Sequence, residues 1–328
     1  MKKNYIKLLI ALLFFTLMIA GCSSAKSADE PMASETVPTV EATPEPTPEP
    51  TPEPTWTVVK DLKITHKTNM EGFLNEDFGI TVGFAGEIHY TTDGGQTWPR
   101  AENESLCRFC LDIVNENKAW SGGNGTQVRV TNDGGKTWTA VTNVNLGGMH
   151  SHVCFVDDNT GWISSSARFA STTDGGMTWT EMALPEGAKG IAAINLRTAT
   201  DGYLLTINGL LFITKDGGLT WSKSDLGFDK LNIADVNNKK GYLSMSNVSF
   251  AEIRFSDDNN GFVVVIGVIP GTGFRTWNMT TSDGGITWTT EEITPVEGFN
   301  PSNLFVTKDG KYLTLSANDK RVLLLKHK

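Results

Sequence analysis

The sequence predicts an all-β fold, a six-bladed β-propeller of four-stranded blades (alternatively seven-bladed) whose ring is closed by its own N-terminal strand. Three observations predict it. The phrase Thr-x-Asp-Gly-Gly-x-Thr-Trp occurs five times, at 91–98, 131–138, 172–179, 214–221 and 281–288; Asp93, Asp133, Asp174 and Asp216 are spaced by 40, 41 and 42 residues, and Asp283 follows after 67. Upstream of each phrase lies a second fixed element, an apolar strand, a polar turn, then Gly and an aromatic or aliphatic residue, as in Phe155 to Gly161-Trp162 and Phe255 to Gly261-Phe262. Finally, the two ends of the repeat array are complementary fragments of one unit. A period of about 40 residues with turn and aromatic signals marks a repeat architecture, and four short strands per period make a propeller blade.

Along the chain, residues 1–21 come first. Lys2, Lys3 and Lys7 precede and enter an apolar run from Leu8 to Ala20 that ends in Ile19-Ala20-Gly21-Cys22. This reads as a signal peptide rather than a spanning helix, and its end resembles a bacterial lipobox. The resemblance implies a mature chain that begins at a lipidated Cys22 on the outer side of the cytoplasmic membrane. Residues 22–54 are an acidic spacer ending in three copies of Thr-Pro-Glu-Pro, at Thr43, Thr47 and Thr51. Proline at alternate positions favours extended polyproline II, and 12 such residues reach about 37 Å.

The propeller occupies residues 55–328. Each Asp-Gly-Gly supplies a carboxylate that can accept backbone N–H bonds and two residues that tolerate positive φ, which is hairpin-turn chemistry. Trp98, Trp138, Trp179, Trp221 and Trp288 follow at fixed distance and are large enough to pack one unit on another. The last unit, 303–328, has three strands and stops. Thr55-Trp56-Thr57-Val58-Val59 matches the fourth strand of a unit that lacks its first three, so the N-terminal segment is expected to complete the C-terminal blade and remove two sheet edges. Besides a longer loop through 270–277, read from 22 residues between Gly261 and Asp283 against 13 or 14 elsewhere, the period breaks between Gly202 and Gly261, where 231–247 adds about 20 residues. That is too few for four strands of usual length, which favours an inserted hairpin over a seventh blade.

The repeated phrase resembles the Asp-box, or bacterial neuraminidase repeat, found in sialidases and in many non-enzymatic propellers. The blade sequence as a whole looks most like the propeller family of the photosystem II assembly and stability factor. The resemblance covers about residues 56–328. It implies Asp-box turns at the outer part of the blades and, for function, a non-catalytic protein-binding or assembly module whose partners are membrane or envelope proteins. The alternative it leaves open is a divergent sialidase-like glycoside hydrolase or a glycan-binding lectin.

Charge narrows the choice of partner. The 328 residues carry 28 Lys and Arg against 37 Asp and Glu; residues 55–328 hold 24 against 30. Such a surface does not invite nucleic acid. A sialidase needs an arginine triad and a Tyr nucleophile assisted by Glu; no Tyr-Glu pair or Arg-Ile-Pro phrase is present, so no catalytic residue is nominated. Phosphate loops, nucleophile elbows and His-Glu-x-x-His are also missing, and no cofactor is expected.

First strands line a propeller's channel. With the six aligned on Phe73, Ile113, Phe155, Leu196, Phe255 and Phe305, alternate positions upstream hold Arg108, Cys110 and Asp112, then His150, His152 and Cys154, then Asn195, then Glu252 and Arg254. Arg108, Asp112, Asn195, Glu252 and Arg254 are the candidate channel residues. His150, His152, Cys154 and Cys110 are candidate ligands for Zn²⁺ or copper, against the plainer reading of buried thiols and hydrogen-bonded imidazoles. A disulfide between two of Cys107, Cys110 and Cys154 is the other use such residues find outside the cytoplasm, but Cys107-x-x-Cys110 lacks the βαβ setting of a thioredoxin-type pair.

Overall fold

A computed structural model describes residues 55–102, 108–124, 126–225, 232–234, 240–242, 248–268, 273–293 and 296–328. The signal segment, Cys22, the spacer and Cys107 lie outside the described residues.

Six antiparallel blades form a ring. β1 (Trp56–Lys63) is the outer strand of the last blade. The first blade holds β2 (Met70–Phe73), β3 (Gly79–Val82) and β4 (Ile88–Thr91); the second β5 (Arg108–Ile113), β6 (Ala119–Gly123), β7 (Val128–Thr131) and β8 (Thr139–Ala140). The third holds β9 (His152–Phe155), β10 (Gly161–Ser164), β11 (Phe169–Thr172) and β12 (Thr180–Met182); the fourth β13 (Ile191–Leu196), β14 (Gly202–Thr206), β15 (Leu210–Thr214) and β16 (Ser222–Asp225). After a two-stranded hairpin, β17 (Asn232–Ala234) and β18 (Lys240–Tyr242), the fifth blade holds β19 (Val248–Phe255), β20 (Gly261–Val268), β21 (Phe274–Thr281) and β22 (Thr289–Ile293). The sixth combines β23 (Pro301–Val306), β24 (Tyr312–Ala317) and β25 (Arg321–His327) with β1, in the order β1-β25-β24-β23. The period break is thus an inserted hairpin, and the ring has six blades.

Closure runs in register from Trp56 opposite His327 to Lys63 opposite Arg321, with a bulge at Val59. Lys328 N donates to Thr55 O at 3.0 Å, so the two ends of the ring meet. Trp56 is 5% exposed and packs into the apolar cluster of Leu304, Leu313, Leu315, Leu323 and Leu325.

One blade departs from expectation. The first has three strands, and its fourth is reduced to an isolated bridge between His89 and Arg100. Here alone the phrase is followed by proline, Pro99, which has no N–H to give a ladder.

The Gly of the second fixed element has a steric cause. Gly161 lies opposite Phe155, and a Cβ there would sit 2.5 Å from the ring; Gly261 and Phe255 repeat the arrangement at 2.5 Å. The ring lies flat on the glycine, and its other face takes an aromatic from the preceding blade. Trp120 stacks on Phe155 at 3.7 Å, and Tyr203 on Phe255 at 4.0 Å. Interblade cohesion is therefore built from the very residues that mark the repeat.

Each Asp-Gly-Gly turn is closed the same way. Thr91 Oγ1 donates to Asp93 Oδ1 at 2.8 Å, Thr97 Oγ1 donates to Asp93 Oδ2 at 2.6 Å, and Thr97 N donates to Oδ1 at 3.0 Å. Asp133, Asp174, Asp216 and Asp283 repeat the pattern. Both glycines of every turn have positive φ, between 70° and 95°. Trp98, Trp138, Trp221 and Trp288 each donate Nε1 to the second glycine's carbonyl at 3.1–3.2 Å, while Trp179 Nε1 is buried without a partner among the described residues.

A candidate binding site at the channel mouth

The first strands β2, β5, β9, β13, β19 and β23 are consecutive neighbours around the centre, so they line the channel. Each runs from one face of the ring toward the other. The Asp-Gly-Gly turns mark the far face: Gly94 N donates to Asp77 O, Gly134 N to Asn117 O, Gly175 N to Asn159 O, Gly217 N to Thr200 O and Gly284 N to Asn259 O, at 2.8–2.9 Å. Each turn is thereby fastened beside the exit of its own blade's first strand. The opposite face carries the loops between second and third strands and the entries into the first strands.

Toward the turn face the channel is closed by an ionic neck. Asp112 Oδ2 accepts from Phe155 N at 2.7 Å and pairs with Lys308 Nζ at 3.2 Å; Lys308 also donates to Phe155 O. Lys308 belongs to the sixth blade, while Asp112 and Phe155 belong to the second and third, so this lysine ties opposite sides of the ring. Arg254 Nη1 donates to Glu252 Oε2 and Ile253 O, both at 2.8 Å, and Nη2 to Val306 O at 2.8 Å, bracing the fifth blade on the sixth. With its amide turned to suit both neighbours, Asn195 donates to Leu196 O and accepts from Arg254 Nη1, each at 3.2 Å. Four of the five channel candidates, Asp112, Asn195, Glu252 and Arg254, are brought together here. Lys308 was not singled out from sequence, although the register held a signal: the third position past the first-strand apolar residue is Glu76, Glu116, Asp158, Ala199 and Asp258 in five blades and lysine in the sixth.

Arg108 is elsewhere. A β-bulge at Phe109 shifts the register between Arg108 and Cys110, which breaks the strict alternation the sequence reading relied on. Arg108 is fully buried in its blade, donating Nη1 to Gln127 O at 3.2 Å.

The four proposed metal ligands are not assembled. His150 is fully buried with Nε2 3.1 Å from Val144 O, and it lies with Cys110 against Gly122. His152 turns Nδ1 to the Ser151 and Ser164 hydroxyls, at 3.1 and 3.3 Å. Cys154 sits in a separate apolar cluster with Trp162, Ile194 and Leu204. Burial pushes both thiols up to about 12 and holds both imidazoles below their ordinary range. Among the described residues no group of three or more His, Cys, Asp or Glu is placed to hold a metal ion. Cys110 and Cys154 are free thiols, which sets aside a disulfide between them.

Above the neck, on the face away from the Asp-Gly-Gly turns, opens a cavity of about 450 Å³. Its walls are Met70, Ile191, Ala251 and Leu304; its rim holds Met149 and Ile207, 53% and 50% exposed, and Phe250, 42% exposed. Bulges at Phe109, Ala192 and Ser249, at the entries of β5, β13 and β19, put those residues on the lining. An irregularity invisible to the repeat pattern thus shapes the mouth. A second, polar cavity of about 420 Å³ adjoins the first and shares Asn69, Phe250 and Asn303 with it.

No protein-family profile matches the chain, and no curated protein matches it. Among solved structures it is similar to YCF48 bound to D1 peptide, with 14% identity and a TM-score of 0.52 over 84% of this chain and 98% of that one. YCF48 from Cyanidioschyzon merolae gives 16% identity and 0.50 over 84% and 98%. The WD40 β-propeller domain of Doa1 gives 8% and 0.52 over 83% and 97%. At such identities the likeness establishes the β-propeller fold.

Proposed function

We propose that this chain is a non-catalytic, protein-binding or assembly propeller, held by a lipid on Cys22 at the outer face of the bacterial cytoplasmic membrane, with membrane or envelope proteins as partners. The carrying observation is the mouth cavity, apolar in its walls and ringed by exposed Met149, Ile207 and Phe250. Large exposed apolar side chains grouped around a concave centre are the usual mark of a protein contact, since scattered ones carry no such meaning. The neck residues Asp112, Lys308, Glu252 and Arg254 pair with one another and with backbone groups, contacts that hold blades together. A solved propeller of similar fold is described with a bound peptide, which supports a peptide-scale partner here. The Asp-box reading of the five turns fits their threonine and aspartate bonding and assigns them to support rather than to ligand.

The test is crosslinked capture from solubilised envelope by the full chain, comparing wild type with a Met149→Asp/Phe250→Asp variant and with Leu219→Asp, whose residue is 75% exposed on the opposite face. A partner retained by Leu219→Asp and lost by the rim variant supports the reading. Capture indifferent to the rim, or turnover of a fluorogenic sialoside by the purified chain, overturns it. For the anchor, Cys22→Ala should move the protein from the membrane fraction to the soluble one.

A further inference from the structure

The charged inventory of the mouth cavity is one-sided. Of its described lining residues, the one carboxylate is Glu252, and no lysine or arginine is among them. Glu252 is 12% exposed in its side chain; Oε2 is taken by Arg254 at 2.8 Å, and Oε1 has no hydrogen-bond partner among the described residues. Of the two amides nearby, Asn69 Nδ2 donates to Arg108 O at 2.7 Å, and Asn303 Nδ2 donates to Asn69 O, each with one of its two N–H groups. Asn69 Oδ1 is left as a further acceptor. A cavity whose described lining holds one carboxylate and no basic side chain to balance it is matched by a ligand that brings a cationic donor. In the same lining, Met70 and Leu304 offer an apolar wall for a long stem.

We infer that the mouth cavity is a receptor for an arginine side chain of a partner polypeptide, its guanidinium on Glu252 Oε1 and its stem along Met70 and Leu304. Charge complementarity argues for this occupant. Residues 55–328 carry 24 basic against 30 acidic side chains, so the long-range field favours a basic segment, and a planar fork uses two acceptors where a point charge uses one. The inference rests on the protein-binding reading above and adds the chemistry of the contact.

The probe is the capped tripeptide acetyl-Leu-Arg-Leu-amide, set against its citrulline and glutamate counterparts and against acetylarginine amide, with the full chain in calorimetric titration. Arginine should bind at least about tenfold more tightly than citrulline, the size of one charge-assisted hydrogen bond. Glu252→Gln, which leaves a carbonyl for Arg254, should bring that ratio to within about twofold. Should Glu252→Gln fail to fold, Ser249→Arg serves instead: Ser249 is exposed at the mouth, and an arginine placed there should compete with the probe and weaken it about tenfold. Equal binding of the arginine and citrulline peptides, or preference for glutamate, overturns the inference while leaving the protein-binding reading intact. Acetylarginine amide binding as tightly as the tripeptide would assign the cavity to a small cation and overturn the polypeptide occupant. Rim-independent capture in the earlier experiment would instead remove the protein-binding reading itself.

Discussion

Asp93, Asp216 and Asp283 each take a hydroxyl and an amide from the threonine four residues on and a second hydroxyl from the threonine two residues back, and those bonds bring their carboxyls down to about 2. Asp174 is lowered by the same bonds; in Asp133 burial works the other way and is outweighed. A carboxyl lowered in the fold stabilises it fully above the ordinary value near 4, and that contribution is lost as pH falls toward 2. Asp216→Ala should therefore lower the melting temperature at pH 7 and have little effect at pH 2, a comparison readable by thermal melts. Glycine is equally constrained at 161. Gly161→Ala must push Phe155 off its seat between the second and third blades, and a loss of about 1–3 kcal/mol in chemical denaturation is expected. At the neck, Asp112→Ala leaves Phe155 N without its acceptor and takes the carboxylate from Lys308, which keeps its bond to Phe155 O. We expect about 3 kcal/mol of destabilisation, with Asp112→Asn recovering part of it through its amide oxygen.

Elements show where the sequence was a sufficient guide. The Asp-Gly-Gly ruler located the blade boundaries because its threonine and aspartate bonds are local, closed within eight residues and repeated five times. Trp56 was legible as a displaced fourth strand for the same reason. Truncating it to Ala should cost about 3–5 kcal/mol, because a 5% exposed indole in a leucine cluster leaves a large void. What escaped the ruler was non-local or aperiodic. Pro99 costs the first blade its fourth strand through a single missing donor. Bulges at the first-strand entries rotated Arg108 into its blade and Phe109 toward the mouth, so the period-two alignment was right for Asp112 and wrong for Arg108. Lys308 crosses the ring, a relation that no spacing within one blade encodes.

For the whole molecule, histidine sets the acid limb above the carboxylates. Burial, with His89 stacked at 3.7 Å, lowers His66 to about 4, and burial lowers His89, His150 and His152 as well. A group whose pKa is lower in the fold than in the unfolded chain stabilises the fold above its ordinary value, here 6.5, and that contribution is lost on acidification toward the folded value. Glu71, raised by burial, opposes this: its contribution is present below about 4.5 and is lost as pH rises. Urea midpoints should accordingly decline from pH 6.5 to 4, and His66→Gln should flatten that limb; an unchanged slope would place its cause elsewhere.

Closure has a mechanical reading too. β1 runs from Trp56, whose neighbour Thr55 lies on the Asp-Gly-Gly face beside Lys328, to Lys63, whose neighbour Ile64 donates its N–H to Lys320 O by the mouth. A pull entering at Thr55, resisted by whatever grips the mouth, acts along this strand. Its bonds to β25 then share the load in shear instead of parting one after another, and the strand that shuts the ring becomes the strap by which it can be hauled.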